Sequence, residues 1–552
     1  MLSRRAAFIV ACVLVALCYL NSLPNDFVFD DGPIVASNPV IRTIDPVHFL
    51  KSSYWTQQQY EGIYRPFTIF SLSVDYAVWK RWAPGFRLTN FAVHAVNGFL
   101  VFLLCTELVG TGIVPIAAML IYIAHPVHTE AVTTIVGRSE LFAACFFLSA
   151  WLLFRRGHTL WPALLFFLAL LSKENAIVLP GILILDAWLS GSMGRDRLHS
   201  LSRWTARWAT LSVVAAAYMV LRYSVLGGFG IPKAAQYMGG QLTSVERLMT
   251  SGRVFLEYLR LLFFPLKVAG DYDFNAIPIA NLSNWDAWVG LLLIIGIAAG
   301  AFLYRRRNWV ISFGVLFAFL VFVPASNWIM PISVLMAERF LYLPLIGLSI
   351  AAAVAFGALP DWRVQRLVGA GAVVTAIVLC NSHDYIRRND FTFFGNMVRV
   401  EPNSAKARLG YGYALLQAGM MADAEVQLLA GLQIIPDFPE LITTLAMTKM
   451  TKDDCSRAWP LLNRALQIDP SHADTHRRMG DCYMKERKAE QAEAMYRQAV
   501  KRIAYPDSML YFMWGRSLEE TGQKEAAVHA YERAALIDPG LTFIQEKLAA
   551  LR

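Results

Sequence analysis

The sequence predicts an all-α protein in two parts, a polytopic membrane helix bundle of about eleven spans followed by an α-solenoid. Three observations carry this reading. The 552 residues are 56% hydrophobic and only 16% charged, outside the usual balance of soluble domains. Apolar runs fill residues 6 to about 381, whereas charge crowds 382 to 552. Pro402, Pro436 and Pro470 recur every 34 residues, a period of paired-helix repeats. A wholly soluble or disordered chain is excluded. Lys and Arg outnumber Asp and Glu by 50 to 41, but the excess sits in short clusters between apolar runs. That is the pattern of cytosolic loops, and nucleic acid is not the implied partner.

The membrane domain is expected over 1–381. Arg4 and Arg5 precede an apolar run from Ala6 to Leu20, and no small-residue cleavage site precedes Asn21, so the run reads as a retained span rather than a signal peptide. Further spans are expected near 88–109, 111–124, 138–154, 159–172, 175–190, 207–226, 285–304, 308–324, 334–357 and 365–381. Several fall short of the roughly 17 to 25 residues that cross a bilayer. Val254 to Pro265 is about half a bilayer long and reads as re-entrant or interfacial.

Eleven spans starting inside put Arg155 and Arg156, then Arg195, Arg197, Arg203 and Arg207, then Arg305 to Arg307, then Arg363 and Arg366 in the cytosol, as the positive-inside rule requires. A twelfth span would send the triple arginine outside. Arg387 and Arg388 lie outside, a mild exception. The first outer loop is then 24–87 and a central segment runs over 227–284. Asp30-Asp31, Tyr64-Arg65-Pro66, His125-Pro-Val-His128-Thr-Glu130, Gly137-Arg138-Ser-Glu140, Lys173-Glu174-Asn175, Asp271, Asp273 and Glu338-Arg339 all fall on the outer face. Such one-sided convergence points to an active site opening on the outer leaflet.

The second domain, 382–552, continues the series with Pro506 and Pro539. A 34-residue period with small residues at Gly412, Ala424, Gly480 and Gly515 and aromatics at Tyr483, Tyr496, Tyr511 and Tyr531 marks tetratricopeptide repeats. Four units and a leading helix near 389–400 form a short solenoid whose concave face suits an extended peptide or a partner helix; a passive spacer is the alternative. The repeats hold no nucleophile or metal constellation, which assigns the chemistry to the membrane half.

Cys12, Cys18, Cys105, Cys145 and Cys380 lie singly in apolar runs as small packing residues. Cys455 and Cys482 are left to pair. They would do so only if their two helices bring the Cα atoms within about 4.4 to 6.8 Å, and two independent buried thiols are the alternative.

The order Asp26-Phe-Val-Phe-Asp30-Asp31, Tyr64-Arg-Pro-Phe, His-Pro-Val-His-Thr-Glu with Val136-Gly-Arg138, Ser172-Lys-Glu174, Glu338-Arg-Phe-Leu-Tyr342-Leu-Pro344 resembles the TMTC proteins. These are O-mannosyltransferases with a polytopic membrane part and tetratricopeptide repeats, within the GT-C class of glycosyltransferases. The likeness includes Tyr258 to Pro278, similar to that family's central segment. The short loops and compact repeat array suggest a bacterial relative. The resemblance implies a GT-C-like bundle and a sugar donor on a polyprenyl or dolichyl phosphate, with inverting transfer to a hydroxyl. The acceptor would be Ser or Thr of exported proteins; a lipid or envelope glycan is the alternative acceptor. It also implies a bacterial inner membrane with periplasmic repeats, or an endoplasmic-reticulum membrane with luminal repeats.

A phosphate leaving group needs its charge held rather than a proton delivered, so cations suit the pocket. One carboxylate must still take the acceptor's proton. Asp30 is the candidate base with Asp31 in support, as the resemblance implies for the first acid of the pair; an Asp-Asp-Gly-Pro turn is the plainer alternative. Arg65, Arg138, Lys173 and Arg339 are the candidate phosphate contacts, alongside Tyr64, Glu140, Glu174 and Glu338. Each cation could instead pair with Glu61, Glu140, Glu174 or Glu338, or snorkel. His125, His128 and Glu130 are candidate substrate contacts that could instead bind a divalent ion, although no cofactor or metal is expected. A non-catalytic scaffold or a transporter is the competing class. A transporter would carry ionisable residues at the midplane and on both faces.

Overall fold

The computed structural model describes residues 2–54, 63–191, 201–228, 242–272, 276–328, 332, 334–450, 454–503 and 507–551. Glu61, Arg195, Arg197, Asp273 and Pro506 lie outside them, as does the side chain of Arg203. The protein is all-helical, with no strand among the described residues.

Among the described residues six helices are long and apolar enough to cross a membrane by themselves: Arg4–Ser22, Ala83–Val109, Ile135–Arg155, Thr205–Leu226, Trp285–Tyr304 and Trp362–Ile386. Three apolar helices are shorter, Leu160–Ser172, Trp309–Ala325 and Pro344–Gly357, and Ile113–Ala124 meets Pro126–Thr133 across a 48° bend. Leu179–Leu189 is shorter still. The stretch expected at 334–357 is an α-helix only from Pro344, because residues Glu338–Leu341 form a tight 3₁₀ turn ahead of that proline. Proline at a first helical position costs no hydrogen bond and fixes where the helix begins. Apolar side chains such as Leu292, Ile295, Leu303, Val374 and Val378 face outward, as a bilayer permits and water does not. Gly314 and Gly347 let Trp309–Phe322 and Pro344–Gly357 touch backbone to backbone, where a Cβ on either would strike the other's carbonyl.

Ser244–Phe263 is a full 20-residue helix, opened by a capping box of Thr243 and Glu246. Glu246, Arg247, Arg253, Glu257 and Arg260 lie along it, and charge at that density suits an interface rather than the hydrocarbon.

Charged clusters separate to opposite ends of the bundle. Arg155 pairs with Asp186 and Glu107, Arg156 with Glu107, and the Arg305 guanidinium lies over Trp188. Glu140, about 22 Å up the same helix from Arg155 at 1.5 Å per residue, belongs to the other end.

Helix Trp362–Ile386 runs through 381/382 into the leading helix Asp390–Val400. The first helices of successive repeats begin at Ala405, Pro439, Ala473 and Ser508, each folded back on a second helix. A further helix, Thr542–Leu551, follows the fourth pair. The rings of Tyr496 and Tyr531 occupy the space a side chain would need at Gly480 and Gly515, which is why the glycines keep the repeat spacing. Cys455 precedes helix Trp459–Ile468 by one turn and is bonded to Cys482, with Cα atoms 5.7 Å apart. The solenoid bows over the segment between helices Arg4–Ser22 and Ala83–Val109. Its near end meets that segment at Phe29, and its far end returns to it through Arg81 with Asp538 at 2.9 Å and Arg42 with the Leu536 carbonyl at 2.8 Å.

Candidate active site

The segment after the first span is anchored before it reaches Asp30. The Asp26 amide donates to the Arg388 carbonyl (2.9 Å), and the buried Arg87 guanidinium donates to the carbonyls of Asn25, Asp26 and Thr133. Phe29 adopts a left-handed backbone, φ 54°, which a bulky residue holds only when its surroundings impose it. They do: its amide donates to Asp390 Oδ1 (2.9 Å) and its ring packs against Phe393 and Phe394. Asp30 and Asp31 then separate. Asp31 is 1% exposed and accepts the amides of Ile135 (3.1 Å) and Val136 (2.9 Å). Burial pushes its carboxyl up to about 6, against the pull of Arg87 and of those two amides. The Asp30 carboxylate accepts no hydrogen bond among the described residues. Burial raises its pKa, the charges of Arg339 and Lys406 oppose that, and Asp271 and Glu130 add to it.

Around it stand ion pairs. Arg65 grips Glu174 through two bonds, 2.9 and 2.6 Å, with its guanidinium over the Tyr54 ring. Lys173 pairs with Glu140 and lies 5.2 Å from the centre of the Phe340 ring; Arg339 pairs with Glu130 and lies 5.6 Å from the same ring. The Arg339 amide also donates to Glu130, at 2.7 Å. Burial pushes the Tyr54 phenol up, Arg65 opposes this and Asp30 adds to it, so Tyr54 is within electrostatic reach of both.

Asp30, Asp31, Arg65, Glu130, Glu140, Lys173, Glu174 and Arg339 therefore share one end of the bundle. Arg138 does not face them. It is fully buried and binds Asp75 at 2.6 Å and the carbonyls of Ser71 and Phe86, rather than Glu140. Tyr64 is packed inside, its hydroxyl on the Leu50 carbonyl. Glu338 does not partner Arg339. It is wholly buried, accepts the amides of Ala269 and Gly270 and the Tyr272 hydroxyl, and pairs with Arg387 at 3.0 Å. His125 meets the Leu262 carbonyl, and His128 packs among Tyr342, Tyr122 and His94. Among the described residues no group of three or more His, Cys, Asp or Glu could hold a metal ion.

Lys406 is the residue that sequence reasoning missed. It sits on the first repeat helix, pairs with Asp271 and lies over Phe29. Nothing in the repeat motif marks it, since its position depends on how the solenoid docks. Tyr54, Phe340 and Asp75 were missed because their contacts depend on how the helices and loops of the membrane half pack against one another.

Tetratricopeptide-repeat models match residues 451–504 and 510–540. Over 95% of the chain it is 25% identical to human "Protein O-mannosyl-transferase TMTC3", and over 73% it is 26% identical to mouse "Protein O-mannosyl-transferase TMTC4". Its homologues along most of the chain are TMTC proteins. A Caenorhabditis elegans protein O-mannosyl-transferase matches 76% of the chain at 25% identity. The chain spans 62 to 63% of the length of these three relatives. Among solved structures, a thermophilic tetratricopeptide-repeat protein of Thermus thermophilus is 17% identical, covers 32% of this chain and 94% of its own, and has a TM-score of 0.27. The solenoid rests on repeat spacing and packing rather than on that likeness.

Proposed function

We propose that the chain is an integral-membrane inverting glycosyltransferase of GT-C type that moves a hexose from a polyprenyl-phosphate carrier to Ser or Thr hydroxyls of exported proteins on the outer face. The observation that carries this is the contrast within one acidic pair: Asp31 is locked by two amides, while Asp30 presents an unbonded carboxylate beside Arg339 and Lys406. The TMTC relatives, named O-mannosyl-transferases, point the same way.

In this reading Asp30 takes the proton from the acceptor hydroxyl. The oxygen attacks the anomeric carbon from the side opposite the phosphate as the carbon–oxygen bond to phosphate breaks, and the phosphate leaves with that electron pair. Arg339, Arg65 and Lys173 hold the charge that develops on it. Their present carboxylate partners, Glu130, Glu174 and Glu140, keep these cations extended and ready to turn to phosphate. Residues 1–381 would form the catalytic membrane domain and 382–552 the acceptor-facing repeats.

The test is transfer of mannose from polyprenyl-phosphate mannose to Ser/Thr peptides by the reconstituted full chain. Asp30→Asn should lower the rate about 10²- to 10⁴-fold with unchanged melting. Activity retained by both single variants at Asp30 and Asp31, and by the double variant, would overturn the mechanism.

A further inference from the structure

Between the first outer loop and the opening repeats lies a cavity of about 720 Å³, within the 300–1,000 Å³ range of ligand pockets. Its wall is assembled from Asp26 of the loop, Asp390 and Phe391 of the leading helix, Tyr413 of the first repeat, Glu440 of the second and Asp474 of the third. Four carboxylates from four separate elements thus face one space. Its described lining includes no Lys or Arg. His472 stands 3.8 Å from Glu440, and Arg478 reaches Asp474 at 3.4 Å while also serving Asp481. Partial neutralisation therefore leaves Asp26 and Asp390 uncompensated by either. The aromatic wall is open as well, with Tyr413 43% and Phe391 38% exposed. An acidic surface interleaved with exposed rings favours Lys and Arg, through charge attraction and through cation–π contact.

The cavity adjoins the candidate site through its wall. Asp390 receives the Phe29 amide, and Phe394, another wall residue, packs its ring against Phe29, the residue before Asp30. A segment lying along the repeats would thus end against Phe27 and Phe394, beside the stretch of chain that carries Asp30.

We infer that this cavity is the acceptor channel, and that it selects an extended acceptor segment carrying Lys or Arg beside the hydroxyl residue that is glycosylated. The inference rests on the glycosyltransferase reading for the word acceptor, and on the cavity's own charge for its selectivity. Stacked helices present a long concave wall suited to extended chain, and four carboxylates spread over the loop, the leading helix and the second and third repeats match cations spaced along a peptide rather than one compact ion.

The experiment uses the full chain in nanodiscs and fluorescein-labelled peptides sharing one Ser/Thr core, flanked by Lys, by Gln or by Glu. At low salt the Lys-flanked peptide should bind about tenfold tighter than the Gln-flanked one, with the Glu-flanked one weakest, and the spread should narrow as salt rises. The combined variant Asp26→Asn, Glu440→Gln and Asp474→Asn should lose about three- to tenfold in affinity for the Lys-flanked peptide alone. Its affinity for the Gln-flanked peptide serves as the check that it is folded. Equal binding of all three peptides by the unaltered chain, or unchanged Lys preference in the folded variant, overturns the inference; so does self-association that excludes peptide. Charge-selective binding without any sugar transfer would support the docking surface while overturning the enzyme reading. Transfer without charge preference would do the reverse.

Discussion

Lys406, carried by the first repeat helix, is ion-paired with Asp271 of the membrane half and lies 4.9 Å from the centre of the Phe29 ring. A residue of the solenoid thus stands beside the candidate base. Lys406→Met keeps the apolar stem over Phe29 and removes the charge. Asp30 is held down by Arg339 and Lys406 against burial, Asp271 and Glu130. Loss of the cation raises the Asp30 pKa further. The base is then protonated over a wider acidic range, and the acid limb of kcat/KM should move to higher pH. The pH profile of transfer checks this. A purely structural loss would lower the plateau at every pH and leave the limb in place.

Asp31 predicts a pH effect on stability rather than on chemistry. Its folded pKa is raised from 3.8 to about 6 by burial, so the folded state favours the protonated form. The stabilisation is complete below 3.8 and is lost as pH rises through 6. That difference corresponds to roughly 3 kcal/mol. Melting of the unaltered chain should therefore fall between pH 4 and 7 by a component missing from Asp31→Asn. Parallel melting curves for the two proteins across that range would refute it.

The repeat array was legible because proline spacing reports helix starts directly: first helices begin at Ala405, Pro439, Ala473 and Ser508, each close behind the expected turn. Arg65, Lys173, Glu174 and Arg339 were legible because charge between apolar runs stands out. Arg138 was not. It lies two residues from Glu140 on one helix, and at 3.6 residues per turn the two side chains point to nearly opposite sides. Glu140 reaches Lys173, while Arg138 turns to Asp75. Sequence spacing gives the periodicity of a helix but not its rotation against its neighbours. Lys406 was further out of reach, because its contact with Asp271 joins positions 135 apart and depends on docking of the solenoid.

Arg138 and Asp75 should accordingly behave as a stability pair. Arg138 is wholly buried and Asp75 nearly so, with the Thr89 hydroxyl also on its carboxylate at 2.9 Å. Removing one partner of a buried pair strands the other charge, at a cost of about 3–5 kcal/mol. Arg138→Met should lower the melting temperature in detergent sharply, and the double variant with Asp75→Leu should recover part of the loss. A folded, thermally unchanged Arg138→Met protein that has lost only donor binding would instead return Arg138 to the phosphate site.

The Cys455–Cys482 bond links the turn ahead of one repeat's second helix to the first helix of the next, with Cα atoms 5.7 Å apart, inside the range a disulfide spans. The sequence separation is 27 residues, and closing a loop of that length stabilises the fold by about 3–4 kcal/mol in the chain-entropy account. A disulfide persists in an oxidising compartment, whereas the cytosol keeps thiols reduced, so the bond and the orientation stand together. Non-reducing peptide mapping of protein purified from membranes should yield a Cys455–Cys482 cross-linked peptide. A reporter enzyme active only in the cytosol, fused after Arg552, should be silent. Reduction should lower the melting of the repeats while leaving Asp30 and its cations untouched, because the bond lies one repeat beyond the residues that meet Phe29. Full alkylation of both thiols under denaturing, non-reducing conditions, together with an active reporter, would place the solenoid in the cytosol and, because Lys406 joins it to the segment around Phe29, Asp30 with it.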